Sequence, residues 1–249
     1  MKLRFYCTKC FFESEGAKRD LVSLPANEAS VYEFECGVGH KNVVVRQEDK
    51  FEVLFEIALN AIADSYHREA VSSATSSLER FYEYYTKVVF REHKISGSHV
   101  GKAWKLVSKQ SERQLGMFVG AYVLHNRTEP TLLDQKQIEF RNAVIHKGTI
   151  PTREKALEYL EHVHGLILPL VDQIKAEMIE SCRELGRERM DTVWASMGSK
   201  ATSTMTVVTP LSMVLAPRQP YPSVEEALER IIKRGILKTD VGPARRAEG

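Results

Sequence analysis

FEVLFEIALNAIADSYHREAVSSATSSLERFYEYYTKVVFR (Phe51–Arg91) repeats apolar residues at three- and four-residue steps: Phe51, Phe55, Ala58, Ile62, Tyr66, Ala70, Ala74, Leu78, Phe81, Tyr85 and Val88. That step is the period of an α-helix with one face against a core. The polar pair Asp64-Ser65 interrupts the stripe and divides it into two helices. Working outward, the same period predicts shorter helices around 99–108 and 111–125, then one over about 133–147 that Gly148 and Pro151 stop. A long helix opens at Pro151 or Thr152 and passes through Leu157, Leu160, Val163 and Leu170, with a kink expected at Pro169. The chain therefore reads as mainly α, with four or five of these helices forming one bundle over 48–190.

The first 47 residues follow a different rule. Cys7-Thr8-Lys9-Cys10 comes after an extended apolar run, and after a gap of 25 residues Cys36-Gly37-Val38-Gly39-His40 comes after another, Val31-Tyr32-Glu33-Phe34. Each half reads as a strand, a tight turn with two ligands and a second strand, which resembles a zinc ribbon. Three thiolates and one imidazole fill the tetrahedral shell of Zn²⁺ and leave no open position for a substrate water, so Cys7, Cys10, Cys36 and His40 predict a structural ion, one per chain. A unit of this size draws most of its folding energy from the metal.

Composition narrows the function classes. With 249 residues, 43% hydrophobic and a formal charge of +2, the chain can bury a good core, and its charge does not mark it as a polyanion binder. The start lacks the apolar centre of a signal peptide, and no run of 18 apolar residues follows, so a soluble, cytoplasmic protein without membrane contact is expected. Four cysteines, three of them in the first 36 residues, suit metal ligation in a reducing compartment better than a disulfide framework. His93, His99, His125, His162 and His164 lack partners at a recognisable spacing and read as structural or surface residues, and Cys182 as an unliganded thiol. No glycine-rich phosphate loop, Ser/His/Asp arrangement or carboxylate cluster for Mg²⁺ is evident.

The helix that ends before Gly148 carries Phe140-Arg141-Asn142-Ala143-Val144-Ile145-His146-Lys147. It offers an arginine, an amide and a histidine that titrates near neutrality on one stretch of surface. With Asn after the Arg, an apolar Ala-Val-Ile between, Gly past the His and Pro-Thr-Arg-Glu opening the next helix, this stretch resembles the HEPN superfamily, whose Arg-x4-6-His motif marks ribonuclease toxins and defence effectors. The resemblance covers about residues 50–185, including the Tyr66–Tyr85 stretch. It implies an endoribonuclease with Arg141, Asn142 and His146 as catalytic residues, with Glu79, Arg80 and Lys147 in support, and a homodimer whose two motifs form one composite site. No catalytic metal is implied. RNA is then the substrate, and an inhibitor or activator protein a further partner.

Two other readings stand beside it. Arg141 could bridge to a neighbouring helix while His146 complements a helix dipole. The bundle would then be an inactive dimeric scaffold, with the ribbon as the nucleic-acid or protein recognition module. An enzyme that binds or transfers nucleotides is the second, without a Mg²⁺ carboxylate pair to support it.

Residues 191–249 read as an extension. Lys200 and Arg218 are the only charges between Asp191 and Glu225, and Thr202–Leu215 is β-branched and apolar, which suggests a hairpin packed on the bundle or exchanged with another subunit. Ser223-Val224-Glu225-Glu226 is a capping box opening a short last helix, and the tail after Lys238 reads as disordered.

Overall fold

The computed structural model describes residues 2–13, 21–198, 203–206, 209–213 and 222–236. In chain order its elements are β1 (Lys2–Tyr6), α1 (Thr8–Glu13), β2 (Leu21–Pro25), β3 (Val31–Glu35), β4 (Lys41–Arg46), α2 (Lys50–Ala63), α3 (His67–Glu92), α4 (Gly97–Val107), α5 (Ser111–Asn126), α6 (Gln135–His146), α7 (Arg153–Glu177), α8 (Ile179–Met197), β5 (Ser203–Met205) and α9 (Val224–Ile236). The fold is mainly α. The expected disorder after Lys238 lies outside the described residues.

The Phe51–Arg91 stripe becomes α2 and α3, packed on each other and joined where Ser65 takes a left-handed conformation (φ 63°). The break closes on itself, with the Tyr66 N–H donating to the Ala61 carbonyl at 2.8 Å. Helix α3 is the axis of the bundle and touches α2, α5, α6, α7 and α8. It is therefore buried on more than one face: Phe81, Tyr85, Val88 and Val89 are fully enclosed, and so are the hydroxyls of Ser77 and Thr86, which bond to the Phe51 and Tyr82 carbonyls. Helix α7 runs unbroken through Pro169, which is exposed, so any loss of a ladder bond falls on the solvent side.

The ribbon is built from two small sheets. Strands β1 and β2 pair antiparallel, as do β3 and β4. Its apolar residues Leu3, Phe5, Tyr32 and Val44 close against Ile57 of α2, so the ribbon completes its core with a side chain from the bundle. The two halves are not copies of one design. The second is a tight turn, but the first continues past Cys7 into the short helix α1.

The segment after α8 also departs from expectation. Ser203–Met205 is a single strand laid parallel to β4, and among the described residues it has no hairpin partner. Thr209–Met213 then crosses the bundle and buries Leu211 completely in the main core. Helix α9 opens with the expected box: Ser223 N–H donates to Glu226 at 2.9 Å, and Glu226 N–H to the Ser223 hydroxyl at 3.1 Å. Its Val224, Ala227 and Leu228 complete the core beside α2.

Candidate functional site

Cys7 follows β1, Cys10 sits in α1, and Cys36 and His40 bracket the β3–β4 turn, which brings their ligand atoms within 4.8 Å of one another. Tetrahedral zinc with bonds of about 2.3 Å to sulfur and about 2.0 Å to nitrogen sets sulfurs about 3.8 Å apart, and sulfur and nitrogen about 3.5 Å apart. The cluster matches that cage. Cys10 Sγ lies 3.8 Å from Cys36 Sγ and 3.4 Å from His40 Nδ1, and Cys7 Sγ lies 3.6 Å from the same nitrogen.

The surroundings are built for thiolates. The Cys10 backbone N–H faces Cys7 Sγ at 3.5 Å, and the His40 N–H faces Cys36 Sγ at 3.4 Å; Gly39 makes the second possible with φ 90°. Asn42, buried on β4 and absent from the sequence reading, ties the halves together. Its amide donates to Cys7 Sγ and the His40 carbonyl, while its oxygen accepts from the Thr8 N–H and hydroxyl. Burial pushes the Cys7 thiol up, but the Cys10 N–H, Asn42 and His40 outweigh it and hold Cys7 down at about 6. Cys10 is pushed up to about 12, by burial first and then by the neighbouring sulfurs of Cys7 and Cys36. Three thiolates at this separation need a cation between them. The donor set and spacing are compatible with a structural zinc site.

Helix α6 carries the second candidate. Asp134 caps it through the Gln137 N–H at 2.8 Å, and Val144, fully buried, together with Phe140, whose ring lies 5.7 Å from that of Tyr159, seats it in the bundle beside α3. That seating leaves Arg141 and Asn142 half-buried and His146 exposed in the last turn. Arg141 and Glu79 of α3 both act electrostatically on the buried Tyr159 hydroxyl, which bonds to Thr75 at 3.0 Å. Burial is the main reason that this phenol is pushed above its usual range. Arg80 turns elsewhere, donating to Glu83 at 2.5 Å and to Gln114 of α5 at 2.6 Å. Lys147 is exposed at the C-cap. Arg68, at the start of α3, reaches the Ile145 carbonyl at 3.5 Å, and His67 acts on Glu154 at the start of α7. These partners come from other elements, and no spacing within α6 announces them.

Most of the other histidines have partners of their own, although His164 Nε2 and His67 Nε2 are buried without one. His125 lies 3.4 Å from Glu177, His162 bonds to Gln137 and the Glu158 carbonyl, His99 bonds to Ser96, and His164 bonds to the Pro210 backbone. Cys182 is a buried free thiol, 3.0 Å from the Tyr84 hydroxyl.

A group of buried charges escaped sequence analysis. Arg46, 1% exposed, donates through Nε to Glu48 at 2.9 Å and through Nη2 to Glu56 at 2.8 Å. Glu52, 2% exposed, accepts the Asp49 and Met213 N–H groups, and burial, reinforced by Asp49, pushes its carboxyl up to about 8.

No family model, curated protein or solved structure matches the chain. Among the described residues no helix is long and apolar enough to cross a membrane.

Proposed function

We propose that the chain is a metal-independent endoribonuclease that works as a homodimer, with Arg141, Asn142 and His146 as its catalytic groups and a structural Zn²⁺ on Cys7, Cys10, Cys36 and His40. One observation carries the reading. The side chains of Arg141, Asn142 and His146, and that of Glu79 on α3, make no hydrogen bond or ion pair within the described residues, and Arg141 Nε is buried without a partner. Buried polar groups are nearly always satisfied, so an arginine and an amide held half-buried with their bonds unmade point to a partner from outside the chain.

RNA supplies that partner. Its 2′-oxygen attacks the adjacent phosphorus, the bond to the 5′-oxygen breaks, and a 2′,3′-cyclic phosphate and a 5′-hydroxyl result. His146 moves a proton, either from the 2′-hydroxyl or to the leaving oxygen, a role worth roughly 10²- to 10⁴-fold. Arg141 holds the phosphate oxygens and offsets the charge that grows on them, and Asn142 orients the phosphate or the imidazole. One protomer places one motif histidine here, so the second proton transfer falls to a second protomer. Tyr66 and Ile150, both strongly exposed beside this end, give that protomer apolar surface to bury.

The test is cleavage of single-stranded RNA by zinc-loaded protein in buffer without added metal. The expected products end in a 2′,3′-cyclic phosphate, a 2′-deoxy residue at the scissile position blocks the cut, and sedimentation gives a dimer at tens of micromolar. Cutting of the 2′-deoxy substrate overturns the mechanism. A monomer that cuts no RNA turns the account toward the scaffold reading, with the ribbon as the recognition module.

A further inference from the structure

Between Glu92 and Glu112 the chain carries no acidic residue but four lysines, Lys94, Lys102, Lys105 and Lys109, more positive charge than the net +2 of the whole sequence. Three of them share one face of α4. Lys102, Lys105 and Lys109 follow one another at steps of three and four residues, and the helical turn runs on through Ser108, whose N–H donates to the Trp104 carbonyl at 2.9 Å. All three are exposed, and their side chains make no hydrogen bond or ion pair within the described residues. The opposite face is fixed: Val100 and Trp104 are buried where α4 meets α3 and α5, and Lys87 of α3 sits over the Trp104 ring, 5.9 Å from its centroid.

Like charges at these spacings repel, so the row costs the helix stability for as long as nothing negative lies across it. Exposed lysines elsewhere have a carboxylate in reach, Lys50 with Glu28 and Lys155 with Glu158, both at 2.7 Å. The helix dipole accounts for a cation in the last turn, but not for a row that begins before that turn and continues past it. A membrane would need apolar side chains to insert, and of the large apolar residues on α4 Leu106 alone is exposed. What remains is a convex row of point charges on long stems, which fits the repeating phosphates of a nucleic-acid strand. The Lys109 end of the row is also held to the part of α3 nearest the motif. Gln114 of α5, 6% exposed, accepts from Arg80 Nη2 at 2.6 Å and donates to the Ser108 carbonyl at 2.9 Å, and Glu79, next to Arg80, acts with Arg141 on the Tyr159 hydroxyl.

We propose that the face of α4 formed by Lys102, Lys105 and Lys109 is a binding surface for the phosphate backbone of single-stranded RNA, holding the strand outside the Arg141–His146 motif. The inference rests on the reading of RNA as the substrate and says where more of that strand lies.

Fluorescence anisotropy of a labelled oligouridine tests it, with zinc-loaded His146→Ala protein so that the strand stays whole. Each phosphate neutralised on a single strand contributes roughly 0.7 to the slope of log K against log salt. Replacing any one of the three lysines by alanine should therefore flatten the slope by about 0.7, and replacing all three by about 2, with binding roughly 100-fold weaker at about 0.1 M salt. The melting temperature of the triple variant should not fall, because these side chains have no partner to lose. Oligoglutamate of the same charge and phosphatidylserine vesicles serve as the other anions and should bind more weakly than the RNA. An unchanged slope in the single variants and the folded triple variant, oligoglutamate or vesicles bound as tightly as oligouridine, or no RNA binding at about 100 μM protein, the weak end of non-specific affinities, overturns the proposal. The two readings fail separately. RNA that binds through these lysines but is not cut by the unaltered protein removes the cleavage and leaves the surface, whereas cleavage by the unaltered protein with an unchanged slope in the variants removes the surface and leaves the cleavage.

Discussion

The ribbon and the end of α6 treat their polar groups in opposite ways. Around Cys7, Cys10, Cys36 and His40 the spare donors face inward: backbone N–H groups meet sulfur, and Asn42 bonds at both ends. Around Arg141, Asn142 and His146 no side-chain hydrogen bond is made within the described residues, and Arg141 Nε is buried without a partner. A site satisfied from within holds the fold together and has nothing left for a substrate. A site held in place with its bonds unmade has its free energy in reserve for a partner.

The largest effect should come from breaking the satisfied site. Removing zinc, or Cys36→Ser, should unfold the ribbon, since structural zinc supplies on the order of 10 kcal/mol to units of this kind. The bundle has its own core, so most helical circular dichroism should persist while the amide signals of residues 2–46 collapse. Metal-free protein with an intact ribbon would break the comparison at its first half.

A smaller effect comes from Glu52, which belongs to neither site. Its folded value of about 8 lies above the ordinary 4.5, so the folded protein holds this proton more tightly than the unfolded chain. The stabilisation is fully present below about pH 4.5 and is lost as pH rises through about 8, amounting to a few kcal/mol. Melting of zinc-saturated protein should fall between pH 5 and 9, and the slope should flatten in Glu52→Gln. An unchanged slope in that variant would remove Glu52 from the account.

These buried charges also show what could be read in advance. The apolar stripe found α2 and α3 and the break at Asp64-Ser65, because a helix that buries one face writes its period into the chain. The cysteine pairs announced themselves because tetrahedral coordination fixes spacing within a turn. Glu52 and Glu56 look in sequence like one solvated face, four residues apart. They are buried because Met213, 161 residues away, and β4 cover them, and no local period carries that information. The same holds for β5, which joins β4 from the far end of the chain. Helix α8, polar on most sides from Arg183 to Asp191, gave little periodic signal of its own. Asn42 was hidden for a simpler reason: an amide between two strand residues has no distinguishing mark until it reaches the sulfur.

Asn42→Ala sharpens the comparison at a finer level. It removes bonds to Cys7 and Thr8 while sparing the ligands, and should cost about 1–3 kcal/mol and weaken zinc roughly 10- to 100-fold, measured by competition with a chelator. Unchanged zinc affinity would mean that the two halves are joined by the metal alone. At the other site the expected stability change is the smallest of all. His146 is exposed and unbonded, so His146→Ala should shift unfolding by no more than about 0.5 kcal/mol, and a larger loss would show that the residue is structurally engaged after all.

The central claim rests on that same variant. In single-turnover cleavage of one RNA, with zinc content, dimerisation and melting matched to the unaltered protein, His146→Ala should be slower by at least the roughly 10²-fold that one acid/base group contributes. An undiminished rate would place the chemistry elsewhere and contradict the account.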